Sequence, residues 1–164
     1  MAIKTLEDLF IHELSDIYSA EKQLTKALPR LARAATNPEL VTAFETHLEE
    51  TQGQVERIDQ VVDVLGIKLK RIKCAAMEGL VEEGKEVIEE VEKGPVRDAA
   101  LIGGAQKVEH YEIASYGTIA ALAKQLGYKD ALPLLLETLA EEKATDEKLT
   151  LIAKSSGSSQ AKAA

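Results

Sequence analysis

Four long stretches of this chain carry apolar residues at alternating three- and four-residue steps, and all four stripes are broken near the middle by polar or ionisable side chains. In the first, Leu6, Phe10, Leu14, Ile17, Leu24, Leu28 and Leu31 form one seam with Glu21 inside it. In the second, Leu40 and Phe44 at one end and Ile58, Val61 and Leu65 at the other flank His47, Glu50, Thr51 and Gln54. The third sets Gln106, Glu109, Glu112 and Tyr116 among Ile102, Val108, Ile113 and Ile119. The fourth sets Glu142 and Asp146 among Leu132, Leu135, Leu139, Leu149 and Ala153. Steps of this period mark the buried face of packed helices. A carboxylate on such a face is expensive to desolvate unless a cation, a proton or hydrogen bonds compensate it. The pattern therefore predicts helices packed around a core with a polar waist.

Boundary residues place the helices. Thr5 followed by Asp8 has the form of a capping box, and Asn37-Pro38 supplies an N-cap with proline at the first helical position. Gly66 ends the second helix, Gly94-Pro95 separates the third from the fourth, and Gly127 ends the fourth. Asp130 offers a cap for a fifth helix with Pro133 in its first turn, whereas Pro29 predicts a kink near the end of the first. Helices are expected over roughly 5–35, 38–66, 95–126 and 129–153, with a shorter one at about 75–93. The connections within the first and last pairs are too short for anything but antiparallel hairpins. The second helix reaches the fourth only through an extended connection holding the short third. Two hairpins joined by one long crossover predict an all-α, ferritin-like four-helix bundle with an extra short crossover helix, over residues 1–153. The Ser/Gly/Ala-rich segment KSSGSSQAKAA, residues 154–164, is expected to be a flexible C-terminal tail.

At 164 residues the chain is of single-domain size, and 45% hydrophobic with 29% charged residues favours a globular fold over disorder. Its net charge of −8 disfavours nucleic acid or an anionic membrane as partner, since both need clustered cations. The one basic cluster, KLKRIK at residues 68–73, is short and reads as a solvated connection. Cys74 is the only cysteine, which rules out an intrachain disulfide and fits a reducing, cytoplasmic setting. MAIKTLEDLF lacks the pattern of a secretory leader, and no apolar run is long enough to span a bilayer.

Distance from the turns tests whether the interruptions coincide. Counting from Asn37, Glu21 lies 16 residues back and Glu50 lies 13 forward. Antiparallel packing then leaves them about 4–5 Å apart in height. From Tyr128, Glu112 is 16 back and Glu142 is 14 forward, while Glu109 at 19 matches Asp146 at 18. The acids should thus share one mid-bundle level, where mutual repulsion would raise their pKa values or open the bundle unless cations sit among them. Hard oxygen donors with an imidazole suit iron or manganese, and bridging carboxylates allow two ions. Candidate ligands are Glu21, His47, Glu50, Glu109, Glu112, Glu142 and Asp146. The competing reading is a proton-sharing network of these acids with His47, His110, Gln54 and Tyr116.

Other candidates are weaker. His12 lies on the polar face of the first helix with Asp8, Ser15, Asp16 and Ser19. His110 lies beside the seam as an outer partner, a ligand or an interface residue, and Tyr18, Tyr111 and Tyr116 read as packing residues with tethered hydroxyls. No glycine-rich phosphate loop, nucleophile elbow or paired-cysteine zinc motif occurs, so no motif assigns a reaction.

The strings IHELSDIYSAEKQLTKALPRLA, HLEETQGQVERID, KCAAMEGLVEEG, VRDAALIGGAQKVEHYEIASYGTIAALAKQLG and LLETLAEEKATDEKL together resemble the bacterial YciE/YciF family of ferritin-like stress proteins. The resemblance runs from about residue 3 to 153 and implies a ferritin-like bundle, a homodimer, a role in stress and a dimetal site. It implies no specific reaction. The wider ferritin-like pattern pairs single glutamates with Glu-x-x-His on two helices. Here Glu50 is followed at the third position by Gly53, Glu109 by Glu112 and Glu142 by Thr145, while His47 stands three residues before Glu50. The chain keeps the acids and lacks the usual imidazoles.

Overall fold

The computed structural model describes residues 2–161, with side-chain surroundings described as far as 156. Among the described residues all regular structure is helical: α1 (Leu6–Ala34), α2 (Pro38–Leu65), α3 (Ala75–Glu90), α4 (Pro95–Gln125) and α5 (Leu132–Ala161). The caps explain most of the boundaries. Thr5 Oγ1 accepts from Asp8 N at 3.0 Å while Asp8 Oδ2 accepts from Thr5 N at 3.1 Å, a reciprocal box that satisfies two donors at the α1 N-terminus. Asn37 caps α2 through its side-chain oxygen, and α2 ends on Gly66 at φ 62°, a left-handed position that disfavours side chains. Gly94, at φ 149°, turns the chain into α4.

Two boundaries differ from the sequence expectation. α5 starts at Leu132, so Asp130 stands one residue too early to be its N-cap. The same helix does not stop at Ala153 but continues to Ala161. Serine and glycine are weak helix formers, yet extending an existing helix costs far less than starting one. Asn37 Nδ2 also donates to Ser156 Oγ at 3.0 Å and ties the extension to the α1–α2 turn. Residues 162–164 of the expected tail lie outside the described residues. α1 is helical on both sides of Pro29.

α1 packs against α2 and α4, and α5 against α4 and α2, which makes a four-helix core. α3 lies outside it, against α1 and α4. Contacts between the ends set the directions. Asp98, in the first turn of α4, is buried and accepts from Thr36 N at 2.8 Å, Asn37 N at 2.9 Å and the Thr36 hydroxyl. The start of α4 is thereby fastened to the turn where α2 starts, so α2 and α4 run in parallel. At the opposite end Phe10 of α1 meets Tyr128, beyond α4, edge to face at 5.2 Å. Residues 66–94 therefore travel the length of the bundle. A ladder along α1 guides the first part of that journey: Ser15 Oγ accepts from Lys70 N, Ser19 Oγ from Cys74 N, and Gln23 Nε2 donates to Cys74 O, at 2.9, 3.0 and 3.1 Å. The polar face of α1 that holds Ser15 and Ser19 is, on this edge, the track for the KLKRIK segment.

The apolar core fills the bundle on either side of its middle, with Phe10, Leu14, Ile17 and Ile119 in one half and Leu28, Leu40, Phe44 and Leu149 in the other, all buried. Each such side chain contributes roughly 1.5–3 kcal/mol by burial. That apolar mass fixes the height and rotation of every residue in the layer between the halves.

Candidate metal centre

In the middle layer the helical stripes continue with polar side chains. α1 supplies Glu21, α2 His47, Thr51 and Gln54, α4 Glu109, Glu112 and Tyr116, and α5 Thr138 and Glu142, all buried. One oxygen or nitrogen from each of His47, Glu109, Glu112 and Glu142 lies within 4.8 Å of the other three. Glu21 joins them through its hydrogen bond with Tyr116, whose hydroxyl donates to Glu21 Oε1 at 2.6 Å.

The remaining polar atoms of the layer are poorly satisfied. Among the described residues, the buried side-chain oxygens and nitrogens without an aligned hydrogen-bond partner all belong to Glu21, His47, Gln54, Glu109, Glu112 and Glu142. His47 Nε2 is only 2.8 Å from Glu109 Oε1, but the ring N–H is not aimed along that line, so the contact is electrostatic rather than a formed hydrogen bond. Native interiors leave few such groups unpaired, because each costs about 1–3 kcal/mol. Their concentration on six converging side chains is what a site for a cation requires.

The electrostatics point the same way. Burial, then the negative charge of Glu142, pushes the Glu21 carboxyl up to about 8. Burial raises Glu109 well above the carboxylate range, with Glu142 adding to the effect, and burial raises Glu112, helped by Glu21 and Glu142. Burial alone would lower His47, but Glu109 and Glu50 outweigh it and hold the imidazole well above its ordinary value. Tyr116 is kept protonated by burial and by Glu21 and Glu112. Without a cation the layer therefore stores protons, and a metal ion would displace them.

Two expected members stand apart. Glu50 sits at the rim, its side chain 37% exposed, with Oε2 3.5 Å from His47 Nδ1 and 3.2 Å from the Thr145 hydroxyl. The buried stripe of α2 runs through His47, Thr51 and Gln54, which leaves Glu50 at its edge, facing the imidazole. Asp146 is at the expected height but turned outward, where it accepts from Gln106 at 3.3 Å and faces the exposed His110 at 3.3 Å. His110 thus lies outside the layer. Gln54 and Thr138 belong to its walls. Thr138 accepts from Arg57, which also pairs with Glu141 at 2.9 Å and links α2 to α5 one turn away.

A family described as a domain of unknown function, DUF892, matches residues 5–162. The chain belongs to the DUF892 family. Within reach of this family, Protein YciF of Escherichia coli (strain K12) is 68% identical over 154 residues, 93% of either chain. The crystal structure of the E. coli stress protein YciF superposes with a TM-score of 0.93 at 66% identity, covering 95% of this chain and 99% of that one. YcfI of Rhodopseudomonas palustris superposes with a TM-score of 0.87 at 49% identity, covering 90% and 94%. The chain is accordingly a homologue of a bacterial stress protein. Among its described residues no helix is long and apolar enough to cross a membrane.

Proposed function

We propose that this DUF892 protein is a ferritin-like stress protein that holds iron or manganese, one ion or two, in its mid-bundle layer and handles iron or reactive oxygen species. The observation that carries the reading is the convergence of unpaired buried carboxylate oxygens and one imidazole from four helices. Two short-turn hairpins, with α2 and α4 parallel and a long connection between them, support the ferritin-like assignment.

In this reading Glu109, Glu112, Glu142 and His47 hold the metal, with Glu21 as a further carboxylate. Glu50 orients His47, and Tyr116 positions Glu21. The metal, when bound, supplies Lewis acidity and redox chemistry. The chain supplies a dry, anionic cage and a tyrosine hydroxyl aimed at one of its acids. Metal analysis after aerobic purification without chelator tests the assignment. Iron or manganese should accompany the wild type and fall several-fold in Glu142→Ala, with the fold retained. Absence of both metals after reconstitution overturns it.

A second reading draws on the 2.6 Å Tyr116–Glu21 bond. A dimeric scaffold without metal would hold its acids protonated and hydrogen-bonded, and exchanging them for Gln and Leu would leave its role intact. The unpaired oxygens of Glu112 and Glu142 favour the metal.

A further inference from the structure

α3 does not settle onto the bundle along its whole length. Met77 is its one fully buried residue, Leu80, Val81, Val87 and Ile88 pack only partly buried against the core, and a hollow of about 490 Å³ lies along the helix between α3, α1 and α4. Leu24 and Leu31 of α1 with Leu101 and Val108 of α4 form the floor, and Val87 and Ile88 of α3 form the roof. The volume lies in the range of small-molecule sites, about 300–1,000 Å³. Two glycines in helix interiors line the hollow: a Cβ on Gly84 would touch Leu31 at 3.7 Å, whereas one on Gly104 would meet nothing within 4 Å.

The rim is electrically asymmetric. Lys26 and Arg30 on the α1 edge are exposed and make no ion pair among the described residues, whereas Lys85 and Lys107 are occupied by Glu82 and Glu83. Glu86 and Glu90 stand on the α3 edge. An anionic head is therefore drawn to α1 and repelled from α3. We propose that this hollow binds a long-chain carboxylate, its hydrocarbon on the apolar floor and its head at Lys26 and Arg30. The stretch of α3 from Leu80 to Glu90 covers roughly 15 Å of the hydrocarbon at 1.5 Å per residue. Leu24, Leu31, Ala105 and Val108 also wall a cavity of about 20 Å³ that reaches His47 and Glu109, so the bound hydrocarbon would lie one layer of side chains from the metal centre. Binding itself needs no metal.

Calorimetric titration of the full chain with laurate, below its micelle concentration, tests the proposal beside dodecyltrimethylammonium as the cationic counterpart. Laurate should saturate one site per chain and bind at least ten-fold more tightly than the cation. Gly104→Phe, which fills the hollow and improves helix propensity, should weaken laurate at least ten-fold with the thermal midpoint kept. Lys26→Glu with Arg30→Glu should invert the preference between the two head groups. Lack of saturable laurate binding, equal affinity for both heads, or an unaffected Gly104→Phe variant overturns the proposal. So does a result in which laurate fails to bind and Gly104→Phe dissociates a dimer in sedimentation, which makes the hollow a contact between copies.

Discussion

His47 Nε2 of α2 lies 2.8 Å from Glu109 Oε1 of α4, with both side chains buried, so one imidazole faces one carboxylate across the bundle without an aligned hydrogen bond between them. Removing the imidazole leaves the glutamate with no cationic partner. His47→Ala is expected to destabilise the metal-free protein at pH 8 by about 1–3 kcal/mol, the scale for leaving a buried polar group without its partner. Urea unfolding in the presence of chelator measures it, and a change below about 1 kcal/mol would show the contact to be incidental.

The stored protons give the metal-free protein an inverted pH response. Glu21 ionises near 4.5 when unfolded and at about 8 when folded, and Glu109 and Glu112 are raised for the same reason, burial. Between those values the folded state binds more protons than the unfolded one, so stability falls as pH rises. His47 acts in the same sense: its contribution is full below its ordinary 6.5 and is lost as pH rises through its higher folded value. Glu50, lowered chiefly by His47, works the other way, contributing above 4.5 and losing that contribution on acidification, but it is only partly buried and its share is small. The thermal midpoint in chelator should therefore drop from pH 5.5 to pH 8, roughly the span of these shifts. Saturating manganese should flatten or reverse the trend, because binding replaces protons. A midpoint that climbs with pH in chelator contradicts the assignment.

Tyr116 provides the hydrogen bond that partly offsets the burial of Glu21. Tyr116→Phe should cost about 1–3 kcal/mol by leaving a buried acceptor unsatisfied. Metal content should be unchanged, since the hydroxyl positions a ligand rather than acting as one. Paired unfolding and metal assays check both halves of that statement.

Asp98 serves as a control for stability without metal. Its carboxylate collects two backbone N–H groups and the Thr36 hydroxyl, holding the α1–α2 turn to α4. Asp98→Ala should destabilise by about 3 kcal/mol, as expected for losing charge-assisted bonds at a buried site, and leave metal content per folded chain intact.

The mid-bundle layer was legible because two signals agree there. Helical period puts Glu21, His47, Glu109, Glu112 and Glu142 on inner faces, and distance from the turns brings the acids among them to one level. Asp146 shows the limit of the second signal, since height says nothing of rotation and its carboxylate faces Gln106 and His110. Glu50 shows the limit of the first, because a residue three positions from His47 shares its face only at the edge. The Ser15, Ser19 and Gln23 ladder and the Asp98 anchor were invisible because their partners lie 51–62 residues away in sequence. The run of α5 past Lys154 depends on helix propagation and on Asn37, neither of which local composition reports.

Anomalous diffraction at the iron and manganese edges, from crystals of protein reconstituted with both ions, locates the metal. One or two peaks should be enclosed by His47, Glu109, Glu112, Glu142 and Glu21 and be absent in Glu142→Ala crystals. Density for water or directly bonded carboxyl groups in that layer, with no peak at either edge, would contradict the metal assignment.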